Sequence, residues 1–476
     1  MKPFKFCKTA LLLTTLSGCA MGPDYQRPAL DMPEKFREGW VQANVQPATG
    51  AWWTVFGDAT LNALEPKVAA SNQSLRASFY SYQQAQALTD AARAAEFPTV
   101  GANVASTRAS STNVQTATGI GTTTTVSGKS VALTASWVPD FWGKVQRQVE
   151  ANQAASEASL ETLRSAQLSL QATLAQDYFL IRQLDSQTQL AKETTSAYEK
   201  ALRITQNRYA AGVATQADVA LAEGQLASAK VQEVTFGVQR AQLEHAIAVI
   251  VGESPSTFML APQPGMPEPA VIPAGLPSQL LLRRPDLHAA ERQVASLNAQ
   301  IGVSQSAYFP ALTLSGQRGW RSPVFTNLIS APNLFWSMGP SLAETIFDGG
   351  ARSAQLAQSR AGYQGAVAQY RQLGLQALQQ VEDQLAATSI LANEAALQKQ
   401  AVTAAEKSLK IAMDQYKAGT VSFLNVITSQ TAAYNARNAS LQISGQRHSA
   451  NVALIQAIGG GWGDRAELGA EVSAAP

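Results

Sequence analysis

Cysteine is almost missing from this 476-residue chain: it has two, at positions 7 and 19. Residues 1–18, with lysines at 2, 5 and 8 and an apolar stretch from Ala10 to Leu16, read as a removable secretion signal, so the mature chain keeps only Cys19 and cannot form an internal disulfide. Charge is sparse as well, at 15% of residues. Removing the three lysines takes the formal net charge from +2 to −1, which leaves no basic excess to hold nucleic acid. No apolar run is long enough for a transmembrane helix, so strands must do any spanning of a membrane. The three histidines, His245, His288 and His448, stand alone without metal-ligand spacing, and Gly459-Gly460-Gly461 is not followed by the Lys-Ser or Lys-Thr of a phosphate loop. No Gly-x-Ser-x-Gly elbow occurs, and carboxylates such as Glu382 and Asp383 are adjacent on a helix and diverge. These absences predict no catalytic residues, no metal site and no cofactor. Proline is absent between Pro139 and Pro255 and again between Pro340 and Pro476, and at about 3 kcal/mol per proline in a helix interior such gaps mark long helices.

What is present is a duplication. Glu199-Lys200-Ala201-Leu202-Arg203-Ile204 through Tyr209-Ala210-Ala211-Gly212 matches Glu406-Lys407-Ser408-Leu409-Lys410-Ile411 through Tyr416-Lys417-Ala418-Gly419 at a constant offset of 207 residues. Gly143 maps onto Gly350 and Gly252 onto Gly459, so the helical parts align without an insertion. Phe97-Pro98 and Phe309-Pro310 are offset by 212, which puts a length difference in the loop region before Gly143. Leu160, Leu163, Leu170, Leu174, Ile181 and Leu184 occupy a and d positions of heptads, with Gln167 and Asp177 as polar exceptions. The matching seam in the second window (Val367, Tyr370, Ala377, Val381, Leu391) is weaker. A continuous helix from Gly143 to Gly212 would be about 100 Å long. Gly212 and Gly419 read as reversals between antiparallel helices, or as glycines tolerated within one longer helix.

Before each long helix lie two candidate strands: roughly 98–108 and 129–138, separated by a Thr/Ser/Gly-rich loop, and the alternating runs around Leu312–Leu314 and Leu334–Met338. Trp137, Trp142, Trp320 and Trp336 fall near strand ends, where an aromatic girdle or ordinary core packing could use them. Four strands per chain cannot close a barrel, and an open edge in lipid leaves backbone groups unpaired. Two copies would give a filled eight-stranded barrel, three a twelve-stranded one with a lumen, and the duplication favours six quasi-equivalent units around a trimer axis. The predicted fold class is therefore mainly α with transmembrane β: a trimeric 12-stranded barrel, four strands per chain, joined to a long coiled-coil α-barrel. The predicted divisions are signal peptide 1–18, lipidated extended arm 19–60, first repeat 61–251, Pro/Gly-rich linker 252–284, second repeat 285–460 and C-terminal tail 461–476.

Leu16-Ser17-Gly18-Cys19 fits a lipobox, whose thiol takes a diacylglycerol; an ordinary cleaved signal with an incidental cysteine is the other reading. Ala20 and Met21 carry no acidic signal for inner-membrane retention, so outer-membrane lipid is the expected surroundings. Together with Gly22-Pro23-Asp24-Tyr25-x-Arg27-Pro28, Trp52-Trp53-x-x-Phe56-x-Asp58-x-x-Leu61, Arg283-Arg284-Pro285-Asp286-Leu287, Ala290-Glu291 and Phe347-Asp348-Gly349-Gly350, the chain resembles the TolC-like outer-membrane factors of the lipidated NodT-type branch. That resemblance covers nearly the whole mature chain. It implies a trimeric exit duct closed at its inner tip, a periplasmic adaptor that opens it, and an inner-membrane transporter, of RND type, that drives it. It implies further that the turns at Tyr209, Gly212 and Thr215 and at Tyr416, Gly419 and Ser422 present the tip to the adaptor. Relatives close the tip with carboxylates and large apolar side chains just after each turn. Here Asp218 and Leu424 take those places, Asn425 replaces the second carboxylate, and Thr428 stands where an aspartate is expected. Asp218 also reads as a solvated helix-face residue. The expected function is passive exit of small toxic molecules from a tripartite efflux pump; polypeptide export by a type I secretion system and a non-conducting periplasmic spacer are the alternatives.

Overall fold

A computed structural model describes residues 20–38, 50–114, 121–272 and 283–460. The signal, Cys19 with its expected lipid, the tail from 461 and part of the linker lie outside the described residues. After a 3-10 turn at Trp52–Phe56 come α1 (Ala59–Ser71), α2 (Gln73–Ala94), β1 (Thr99–Val114), β2 (Gly121–Trp137), α3 (Lys144–Ala210) and α4 (Gln216–Ile250). The same order recurs as α5 (Pro285–Ser306), β3 (Ala311–Ser322), β4 (Leu334–Ala343), α6 (Ala351–Lys417) and α7 (Phe423–Ala457). The helices α3 and α6 have 67 residues each and α4 and α7 have 35 each, so the duplication is conserved to the residue in every long helix. No helix among the described residues is long and apolar enough to cross a membrane.

The described chain forms two compact units. One comprises the segment ending at Pro28, Ser81–Ser159 and Ala290–Tyr370, and holds the sheet. Its order is β1-β2-β3-β4, all antiparallel neighbours. The strands β1 and β2 run on into the Thr/Ser-rich segment read from sequence as a loop: Ser110 to Asn113 pair with Thr125 to Thr122. β-branched threonine suits a pleated strand, and the cross-strand ladder outweighs a loop-like composition. In the same unit the arm of residues 20–28 is held by side chains of the helices. The buried Arg147 bonds Met21 O at 3.1 Å and Asp24 at 2.7 Å, Asn298 donates to Pro23 O at 2.8 Å, and the Tyr25 hydroxyl donates to Glu291. Burial works against the Glu291 anion, yet hydrogen bonds from Arg292 and Tyr25 hold its carboxyl below the usual range. Gly302 leaves room for this arm, since a Cβ there would overlap the Met21 carbonyl.

The second unit comprises Ala29–Tyr80, Leu160–Ala289 and the segment from Arg371. Its main core gathers Trp52, Phe56, Leu61, Leu174, Phe179, Ile181, Ile247, Val452 and Ile455. The heptad leucines of α3 point into this core as their spacing predicts, with Leu163, Leu174 and Ile181 buried, while Leu184 is buried in a separate small cluster with Ala191 and Phe236. Asp58 caps α1 through Thr60 N and Leu61 N, accepts the Tyr178 hydroxyl at 2.8 Å and pairs with Arg182 at 2.5 Å. Arg182 also donates to Gln263 O and Gly265 O, and Arg240 donates to Leu260 O, so the described linker is tied down by arginines of α3 and α4. The Arg-Pro-Asp motif does similar work: Arg284 bonds Asp286, Gln380 and the last-turn carbonyl of Ala457.

Candidate functional site

Two surfaces fit the expected activity, one in each unit. In the sheet, the registers place Val100, Val104, Val131, Leu133, Trp137, Leu314, Trp320, Leu334, Trp336, Met338 and Leu342 on one face. Thr99, Asn103, Thr134, Ser130, Gln317, Arg321, Ser337 and Ser341 share the other. An apolar face opposite a polar one, at a period of two, is the arrangement of a strand with lipid on one side and water on the other. Most of these apolar side chains are exposed, Met338 at 83%, while Val131 and Trp320 are half-buried. Arg318 interrupts this face opposite Trp336 on β4, and farther along the longer strands it turns polar, with Ser106, Arg108 and Lys129. Trp137 and Trp142 anchor backbone: their indole N–H groups donate to Glu96 O at 2.9 Å and Pro310 O at 2.8 Å. Trp142 is in the turn after β2 and stacks on Phe309, so its role is packing.

The second surface is the pair of helix reversals. Gly212 and Gly419 adopt φ of 77° and 76°, the left-handed conformation that ends a helix, and the N–H of the next residue returns to the carbonyl five residues back in both repeats (Val213 to Arg208 at 2.9 Å, Thr420 to Gln415 at 3.0 Å). The reading of these glycines as turns holds. A small separate core, Ala201, Ala222, Tyr416, Phe423 and Val426, fastens one reversal to the other. Arg208 donates to Tyr416 O at 3.0 Å with its guanidinium 4.7 Å from the Tyr416 ring centroid, and Thr205 Oγ1 lies 3.3 Å from the Tyr416 hydroxyl.

The residues expected at the tip divide accordingly. Tyr209, Gly212, Thr215, Gly419 and Ser422 are exposed. Tyr416 is not: it is 4% exposed against 48% for its counterpart Tyr209, because Phe423 and Arg208 cover it, so its side chain is not on the contact surface. Asp218 is the acidic member of a capping box, accepting the Thr215 N–H and hydroxyl at 2.9 Å each. The second reversal has no such box, since Asn425 occupies the equivalent position and Ser422 makes no side-chain cap bond. Leu424, Asn425 and Thr428 are exposed, with the Thr428 hydroxyl donating to Leu424 O. Arg208 was not singled out by sequence; its signal, a basic residue one turn before the first Gly with a glutamine at the equivalent place in the second repeat, has meaning only once both reversals are seen together.

A family model described as outer membrane efflux protein matches residues 64–253 and 276–460. Nodulation protein T of Rhizobium leguminosarum bv. viciae is 30% identical over 468 residues, covering 95% of this chain and 93% of that one. Cation efflux system protein CusC of Escherichia coli K12 is 28% identical over 472 residues, 97% of this chain and all of that one. Among solved structures, the outer-membrane channel OprN is similar with a TM-score of 0.86 at 27% identity, over 93% of this chain and the full length of that one.

Proposed function

The chain belongs to the outer membrane efflux protein family, and from that premise we propose how its residues make it the outer-membrane exit duct of a tripartite efflux pump. The observation that carries the reading is the four-stranded sheet with one bare apolar face and two free edges, β1 and β4, joined in sequence to duplicated 67-residue helices. Edges open to lipid are too costly to stand, so three chains pool twelve strands into one barrel, with the polar faces of β1 to β4 lining water. The duct is passive. It takes small molecules handed over by a periplasmic adaptor and an inner-membrane transporter of RND type, and an acyl group on Cys19 adds to its hold on the outer membrane.

The gate lies at the reversals. Asp218, Leu424, Asn425 and Thr428 flank the mouth, while Tyr209, Gly212, Thr215, Gly419 and Ser422 form the surface that meets the adaptor. With Asp218 engaged in its cap and Asn425 uncharged, the mouth carries less negative field than two carboxylate rings would supply. Purified trimer in a planar bilayer tests this reading. Small closed-state conductance that rises when Leu424→Ala loosens the mouth is expected; no conductance in any variant would overturn it. A deletion strain hypersensitive to toxic small molecules, but normal in polypeptide secretion, is the matching result in cells.

A further inference from the structure

We propose that the lipid-facing side of the first hairpin, beyond its apolar band, binds the headgroup of a phosphorylated glycolipid in the outer leaflet, with Arg108 and Lys129 as its phosphate ligands. The proposal rests on the barrel inferred above and gives a ligand to a part of the sheet that conduction does not use.

The arm fixes which end of the sheet meets which leaflet. A Cβ at Gly143, in the turn from β2 into α3, would overlap the Ala20 Cα, and the Met21 N–H donates to Trp142 O at 3.1 Å. The residue next to the expected acylation site is therefore held at the helix end of the sheet, and the far ends of the strands reach the outer leaflet. On the lipid-facing side the register stacks apolar rungs from Leu312 and Leu342 up to Val131 and Trp320. From Leu312 to Trp320, at about 3.4 Å per residue and a tilt of about 40°, the rise is roughly 20 Å, close to a membrane band of about 25 Å. The next rung joins Lys129 to Ser106 and Ser322, and the one beyond joins Arg108 to Ser127. Two cations thus stand directly above the apolar band, at headgroup level.

Nothing in the sheet neutralises them. Residues 98–139 and 311–343 contain Arg108, Lys129, Arg318 and Arg321 but no aspartate or glutamate. Arg108 is exposed and has no carboxylate partner among the described residues. Lys129 is half-buried, donates to the Ser106 hydroxyl and lies 4.8 Å from the Phe325 ring centroid. A lysine already fixed by a hydroxyl and a ring loses less freedom on meeting a phosphate. Arg318, lower on the same face, has a stem that can carry its guanidinium toward the same level. Beside and beyond the cations, Ser106, Ser127, Ser110 and Thr125 share the face. Cations suit phosphoryl oxygens, and hydroxyls that both donate and accept suit sugar, so the combination fits a phosphorylated sugar better than a glycerophospholipid. The second hairpin has no such extension, because β3 ends at Ser322 and β4 begins at Leu334, so each chain carries one site.

Full-length trimer purified from outer membranes tests the site, with planar-bilayer conductance showing that the duct is intact. After delipidation, adding bis-phosphorylated lipid A should raise the melting temperature of the wild type. Arg108→Gln combined with Lys129→Gln should need about 30-fold more lipid A for the same rise, from the usual worth of two basic side chains at an anionic membrane surface. Arg108→Lys with Lys129→Arg keeps both charges and should restore the response. Arg321→Gln removes a cation from the polar face near the same level and should leave the response as in wild type. Dephosphorylated lipid A, phosphatidylglycerol and inorganic phosphate should each give little or no rise. An equal response from the double glutamine variant overturns the site, and an equal response to phosphatidylglycerol or inorganic phosphate overturns the glycolipid. Either result with conductance retained leaves the duct standing, whereas loss of conductance in every variant and in the wild type sinks the duct.

Discussion

Glu65 is the clearest conflict between a residue and its surroundings. It is fully buried beside Leu61, Leu64 and Val68, neither carboxyl oxygen has a hydrogen-bond partner among the described residues, and burial pushes its pKa up to about 9. The folded chain therefore keeps the proton, while an unfolded chain releases it near its ordinary value of 4.5. Between those values the native state binds more protons than the unfolded one, so stability falls as pH rises from about 4.5 to about 9, by roughly 3 kcal/mol at pH 7 as an upper bound. Glu65→Gln removes that loss: its melting temperature should exceed wild type at pH 8, with the gap closing toward pH 5, as read by circular dichroism. Arg182 is the opposite case, a buried cation with every neighbour satisfied, joining Asp58, Tyr178 and two linker carbonyls. Arg182→Met leaves the Asp58 charge buried without its cation and should cost about 3–5 kcal/mol. Limited proteolysis should then cut first around residues 260–266.

At the level of elements, much was legible before any coordinates. The offset of 207, the proline gaps and the heptad leucines located all four long helices, because a helix leaves a periodic record in sequence. The β1–β2 hairpin was harder: a run of threonines and serines looks the same in a loop as on the watery face of a strand, and only the ladder distinguishes them. The arginines that bind the arm and linker were also invisible, since their carbonyl partners carry no residue signature. The roles of Tyr416 and Asp218 depended on which side of a turn was covered, which spacing alone does not encode. Two measurements probe these elements. Thr215→Ala should destabilise the first reversal by about 1 kcal/mol and speed amide exchange at 213–219, whereas Ser422→Ala, which removes no cap bond, should leave 420–426 unchanged. Met338→Arg, on the apolar face, should cost about 2–4 kcal/mol and deplete the protein from outer membranes, while the adjacent Ser337→Arg on the polar face should be delivered normally.

For the molecule as a whole, the duplication is strict in some places and relaxed in others. Helices α3 and α6 agree in length to the residue, yet β1 and β2 have 16 and 17 residues against 12 and 10 in β3 and β4. The difference follows from the two kinds of periodicity. One residue added midway along α3 or α6 turns everything beyond it by about 100°, swinging a whole stripe of side chains away from its neighbour. Growth of two residues in each member of a hairpin preserves every inside and outside position and only raises the rim. The two hairpins of the sheet are thus free to differ in height at their far ends, while the long rods that carry them are locked in length.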